Sequence, residues 1–194
     1  MRPLDGQAMH GPTVFRTKDA LRAGLDESVS LSAIPTVLGV FANSAHSFSK
    51  QAHPGITLLE GLGVEGDAHC GVTVQHVYDA KKDPSRPNLR QVHLMQAELF
   101  DEVNAKGFSV RPGDLGENIT TRHLDLLGLP AGTLLHLGET AVVRVTGLRT
   151  PCIQIERFQK GLVEAVFERA PGRPVIRKTG VMSVVVVGGG GASE

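Results

Sequence analysis

The sequence predicts a mainly β protein with α insertions, a mixed or antiparallel β-barrel rather than a layered α/β fold. Three observations predict it. Short β-branched runs recur from Thr36 to Val187. Glycine is abundant, 23 of 194 residues, which suits frequent turns between short strands. Helical periodicity is confined to two or three short stretches and never alternates with strands in a βαβ rhythm.

The domain is expected over residues 36–188, between an N-terminal extension (1–35, peripheral or flexible) and a flexible glycine-rich tail (189–194). In the extension, Arg16–Glu27 has the length of a short helix, but Gly24 and a thin apolar face weaken it. TVLGVFAN, from Thr36, alternates as a buried strand. Ser44–Pro54 is polar and reads as a loop, as does the charged, proline-bearing stretch His76–Asn88. Arg90–Leu94 reads as a short strand. Met95, Leu99 and Val103 then fall four apart, with Phe100 beside them, as one helix face ended by Gly107. Pro112-Gly113-Asp114 makes a turn before the β-branched run that follows Asn118. TLLHL and TAVVRV flank Gly138-Glu139 as a hairpin. Leu162, Val163, Val166 and Phe167 mark a second helix face, and Val175–Lys178 and Val181–Val187 two last strands.

Composition narrows the function classes. Lys+Arg and Asp+Glu are equal at 20 each, so bulk charge holds the chain to neither nucleic acid nor membrane. Aromatics are 4% of residues with no Trp, which argues against base stacking. No run approaches the roughly 18 apolar residues that cross a bilayer, and the first residues lack a signal-peptide core. Two cysteines far apart make no disulfide framework and fit a reducing compartment, so a cytoplasmic location is expected.

The chemistry is expected around Val142–Phe158. An apolar run ends at Gly147, and Arg149, Thr150, Pro151 and Cys152 hand over to a new apolar segment. A strand-to-helix handover places these residues at an element end, where functional groups concentrate. Cys152 near a helix start with Arg149 close by favours thiolate, the form that attacks electrophiles and ligates soft metals. A small buried core cysteine is the other reading of the same residues. A second candidate is Gly66-Asp67-Ala68-His69-Cys70-Gly71, which packs an acid, an imidazole and a thiol between two glycines. An ordinary turn would look much the same. A zinc site from His69, Cys70, His76 and His93 does not match the spacing of a closed structural site.

GVEGDAH at 63–69, RQVHL at 90–94, PGDLGENIT at 112–120 and RTPC at 149–152, in that order and followed by RKTGVMSVVV, resemble the MOSC domain family, named after the C-terminal domain of molybdenum cofactor sulfurase. The resemblance covers about residues 36–188 and is to short, stand-alone members. It implies a MOSC-type β-barrel. It also implies that Cys152 is the functional residue, either carrying sulfur as a persulfide or ligating molybdenum in a bound pterin cofactor. Asp67 and His69 take the family's GDxH-type positions and are expected to move protons. Gly116, Glu117 and Asn118 take its GEN-type positions. With Arg149, Thr150 and Thr120 they are expected to hold the cofactor, Arg149 by a bidentate fork on its phosphate. Cys70 is a departure from the family pattern, and it reads either as a bystander or as a second thiol for Cys152. The loop at 76–88 is unlike the His-rich segment of larger relatives that reduce hydroxylaminopurines, so their substrate class does not carry over.

Two function readings follow. One is a molybdenum-cofactor-dependent oxidoreductase or sulfurtransferase acting on a small molecule, with Cys152 as metal ligand. The other is a metal-free sulfur carrier that forms a persulfide on Cys152. Its pyridoxal-phosphate cysteine desulfurase would be a separate protein, since this chain has no obvious lysine context for that aldehyde. An electron-donor protein is the partner the first reading needs. A homodimer is compatible with both.

Overall fold

The computed structural model describes residues 34–192. The expected extension, with its helix at Arg16–Glu27, therefore lies outside the described residues except for its last two positions. In chain order the elements are β1 (Thr36–Ala42), β2 (Gln51–His53), β3 (Gly55–Leu59), β4 (Gly63–Val64), α1 (Val77–Lys82), β5 (Val92–Gln96), α2 (Glu98–Ala105), β6 (Ile119–Arg122), β7 (Leu134–Leu137), β8 (Ala141–Leu148), α3 (Ile153–Phe158), α4 (Leu162–Ala165), β9 (Phe167–Glu168), β10 (Ile176–Arg177), β11 (Val181–Val187) and β12 (Gly189–Ala192).

Seven strands form one curled sheet in the order β2-β1-β6-β5-β11-β8-β7, the mostly β, half-barrel architecture that the sequence predicts. Every pairing in it is antiparallel except β5 with β6. That pair is joined through α2, because parallel neighbours need a crossover. A second sheet of β12, β3 and β4 packs on the same apolar interior.

β5 shows how the site is positioned. Its side chains alternate between two buried environments, as the period of a strand demands. Val92 and Leu94 enter the barrel interior with Val143, Val145 and Val181. Met95 enters a separate apolar cluster with Leu99, Phe100 and Val103 of α2, Ile155 of α3 and Leu162. Full burial of each such side chain is worth about 1.5–3 kcal/mol, so β5 is clamped from both sides. His93, between Val92 and Leu94, is thereby fixed on the outer face of the barrel wall.

Four differences from the sequence reading have physical causes. The polar stretch 44–54 contains β2, three exposed residues that carry no apolar signal yet pair with β1. The loop at 76–88 contains α1, a helix with no buried residue. Met95 belongs to β5 rather than to α2, although it shares the same apolar cluster. The second helix face covers one turn only, and Phe167 opens β9. A correction also falls on the tail. Gly189–Ala192 form β12, antiparallel to β3. A Cβ at Gly189 would lie 2.2 Å from Thr140 Oγ1 and 2.9 Å from the Ala141 nitrogen. The glycines that suggest flexibility are what let this backbone approach β8.

Candidate functional site

A cleft of about 410 Å³ opens where β8 hands over to α3. Cys152 stands at that corner as the N-cap residue of α3, in extended conformation, and is half-buried. Its sulfur lies 3.7 Å from Gln154 Oε1 and is in no disulfide. Arg149, Thr150, Asn118, Gly116 and His69 line the same cleft, so five of the residues picked from sequence converge on Cys152. Lys50, Arg90, His46, His76 and His93 join them. Among the described lining residues Asp79 carries the one carboxylate, and it is engaged by Arg90 Nη1 at 3.3 Å.

The floor is built from saturated bonds. Asp67 is buried behind the lining residues. Its Oδ2 accepts from Lys50 Nζ at 2.6 Å, from the Asn43 backbone N–H at 3.1 Å and from Asn118 Nδ2 at 3.2 Å. Its Oδ1 accepts from the His69 backbone N–H at 2.9 Å and from His69 Nδ1 at 3.2 Å. Burial alone would raise the Asp67 carboxyl, but the His69 hydrogen bond and the Lys50 ammonium hold it well below the usual carboxylate range. Asp67 is therefore a permanent anion, too weak a base to shuttle protons near neutrality. An ionised carboxylate only accepts, so His69 Nδ1 carries a proton and Nε2 is its free ring nitrogen.

Asn118 knits the floor together. Its Nδ2 also donates to the Phe41 carbonyl at 3.1 Å, and its Oδ1 accepts from the His93 N–H at 3.1 Å. One side chain thus ties β1, β5 and Asp67. Gly116 has φ +82°, and a Cβ there would stand 2.5 Å from the Phe48 carbonyl oxygen. Glu117 and Thr120, expected to touch a cofactor, instead sit fully buried behind the wall. Thr120 Oγ1 donates to Glu117 Oε1 at 3.1 Å. Burial pushes the Glu117 carboxyl up. Its Oε2 has no hydrogen-bond partner among the described residues.

Arg149, like Glu117, keeps an unpaired buried atom, and unlike Glu117 it lines the cleft. Its Nη1 is buried and has no hydrogen-bond partner among the described residues. No carboxylate lies within ion-pair distance of it among the described residues, and Glu117 is the buried carboxyl whose charge would act on it. Burial lowers the guanidinium from its ordinary value, the expected result for a cation short of partners. His93 is pushed down to about 3 by burial and by Arg149, and its Nε2 lies 2.8 Å from the Thr179 carbonyl oxygen. Thr150 Oγ1 accepts from Arg177 Nη1 at 2.9 Å.

The second thiol is placed otherwise. Cys70 follows His69 in the turn, outside the cleft lining, and burial together with Asp67 and Glu65 pushes its thiol up. Among the described residues no group of three or more His, Cys, Asp and Glu is placed to share a metal ion, so the zinc spacing does not close in space.

The MOSC domain family model matches residues 69–186, about three-fifths of the chain, including the Gly116–Asn118 and Arg149–Cys152 segments. The chain belongs to the MOSC domain family. The MOSC domain is associated with molybdenum-cofactor-related proteins. Solved structures share the MOSC fold at low identity. The YuaD protein of Bacillus subtilis aligns with TM-score 0.67 and 21% identity over 82% of this chain and 91% of its own. YiiM of Geobacillus stearothermophilus aligns with TM-score 0.58 and 16% identity over 82% and 71%. YiiM of Escherichia coli aligns with TM-score 0.53 and 19% identity over 81% and 66%. A search of curated proteins found no match to this MOSC chain. Among the described residues no helix is long and apolar enough to cross a membrane.

Sequence reasoning missed Lys50 and Arg90, and met His93 only as a zinc candidate. Lys50 ends a polar loop, and its role arises only where Asp67 and the Gly113 carbonyl meet it. RQVHL offered a signal for His93, because alternation in a strand buried on both faces sends it away from Val92 and Leu94.

Proposed function

We propose that this MOSC protein binds molybdenum cofactor in the cleft and uses it in redox chemistry on a small molecule. The carrying observation is the buried, unpartnered Arg149 Nη1 in the same cleft as the accessible Cys152 sulfur. The donor set fits the group. A thiol sulfur suits a soft metal, and a guanidinium with no carboxylate in ion-pair distance suits a phosphate. When bound, the cofactor supplies a metal centre that accepts and returns electrons in pairs.

The chain's own residues do the rest. Cys152 Sγ offers the protein ligand. Arg149 holds the anionic end of the cofactor. Asp67 fixes the ring of His69, whose Nε2 gives or takes the proton that accompanies reduction. Lys50 and Asn118 keep Asp67 in place, and glycine at 116 lets the wall close against the Phe48 carbonyl.

The test is metal analysis. The protein is purified from cells that make the cofactor, and molybdenum per chain and oxidised-pterin fluorescence are measured. Near-stoichiometric metal that falls at least about tenfold in Cys152→Ala is the expected result. Metal-free protein with one extra sulfur atom on Cys152 would replace this reading with the persulfide carrier.

A further inference from the structure

The cleft carries a second guanidinium that the cofactor reading does not use. Arg90, just before β5, lines it together with Val77, Tyr78 and Asp79 of α1. Arg90 Nη1 stands 3.3 Å from Asp79 Oδ2, and His76 Nδ1 stands 3.2 Å from the same oxygen. Among the described residues that contact is the only polar one the Arg90 guanidinium makes, so most of its fork is free. The side chain is 39% exposed, whereas Arg149 Nη1 is buried. Burial and then the Arg90 charge lower His76, and the same charge adds to burial in lowering Arg149. Arg90 thus acts on both ends of the cleft, and Asp79 is its one counter-charge there.

The helix beside Arg90 supplies apolar surface. α1 buries none of its own residues. Its Val77 and Tyr78 are 51% and 62% exposed, and both line the cleft rather than fill a core. Small-molecule sites have this make-up, with apolar side chains for contact area and a few polar groups that fix orientation. Here the orienting group is a cation with donors to spare.

We infer that Arg90 and the α1 wall form the substrate site, and that the substrate is a small carboxylate with an apolar body. The inference rests on the redox reading of the cleft and names the substrate class for it. The carboxylate is a handle and does not itself react. It takes paired N–H donors of the guanidinium fork, and the apolar body lies on Val77 and Tyr78. Asp79 competes with it for the same cation. The anionic end of the cofactor is a poor occupant of Arg90, because the buried, unpartnered Arg149 Nη1, on a residue three before Cys152, is there to take it. A neutral substrate would expel water from the free Arg90 donors and give them nothing in return.

The test uses the full chain, purified from cells that make the cofactor, and benzoate as the probe. Affinities for benzoate, benzamide and acetate are measured by calorimetry. Benzamide keeps the body without the charge and acetate the charge without the body, so each should bind at least about tenfold more weakly than benzoate. Arg90→Gln should lower benzoate affinity by about tenfold or more, and Arg90→Lys by less, since it keeps the charge but loses the fork. Asp79→Asn removes the competitor and should tighten benzoate by about threefold or more, a gain that no misfolded variant gives. Molybdenum per chain should be unchanged in all three. Absent benzoate binding, equal binding of benzamide, an Arg90→Gln variant that binds like the wild type, or an Asp79→Asn variant that fails to tighten binding overturns the inference. So does a fall in molybdenum in Arg90→Gln, which would give Arg90 to the cofactor. A metal-free chain whose benzoate affinity still depends on Arg90 sinks the cofactor reading and leaves the carboxylate site standing.

Discussion

Asp67 and Arg149 are both charged groups drawn into the protein beside one cleft, and the fold treats them in opposite ways. Asp67 accepts five hydrogen bonds, from Lys50, Asn43, Asn118 and twice from His69. Arg149 keeps a buried Nη1 with none. The two cysteines differ in place. Cys70 sits in the turn with its thiol raised by burial, whereas Cys152 lines the cleft. A saturated charge fixes geometry. An unsaturated one keeps its binding capacity for something that arrives later, at a cost in the stability of the empty protein.

The hardest way to break this contrast is at the saturated side. Asp67→Asn leaves the Lys50 ammonium buried without its counter-charge and should cost about 3–5 kcal/mol in urea unfolding. The opposite result is expected at the unsaturated side. Arg149→Met removes a cation with no partner and should stabilise the cofactor-free chain by about 1–3 kcal/mol, seen as a raised Tm, while its cofactor content falls. A loss of stability there would mean that Arg149 is a structural group after all.

Acid should sharpen the picture. His93 titrates at about 3 in the fold against about 6.5 when unfolded. Between those values the unfolded chain binds the extra proton, so stability is full above about pH 6.5 and falls as pH drops, by about 1.4 kcal/mol per unit. Asp67 has the same sign in a lower window. Its stabilisation is complete above about pH 4 and is lost with further acid. His93→Gln should flatten the upper slope in urea melts at pH 7 and 5. Smallest of all, Cys70→Ser should change stability by no more than about 0.5 kcal/mol and leave molybdenum content alone.

The β7–β8 hairpin and the β8–α3 corner were legible because their apolar patterns are local. So were Arg149 and Cys152, which stand where one pattern stops and the next begins. β2 and β12 were not, because three exposed residues and a glycine run take their order from distant partners. In the site, the pairing of Asp67 with His69 lay within three residues of sequence. Its pairing with Lys50 and Asn118 did not, and those partners are what separate a fixed anion from a proton shuttle. Glu117 was taken from the family's GEN-type positions and Thr120 for its hydroxyl, but backbone direction decides which side of a wall a group occupies, and the two bond each other behind it.

β11 lies between β5 and β8, yet it is made after both. While the ribosome works through the preceding residues, each half of the large sheet has an open edge and no shared centre. The nascent protein thus stays vulnerable to cross-pairing with its neighbours until Val181–Val187 emerge from the exit tunnel, and a holdase would be of most use in that interval.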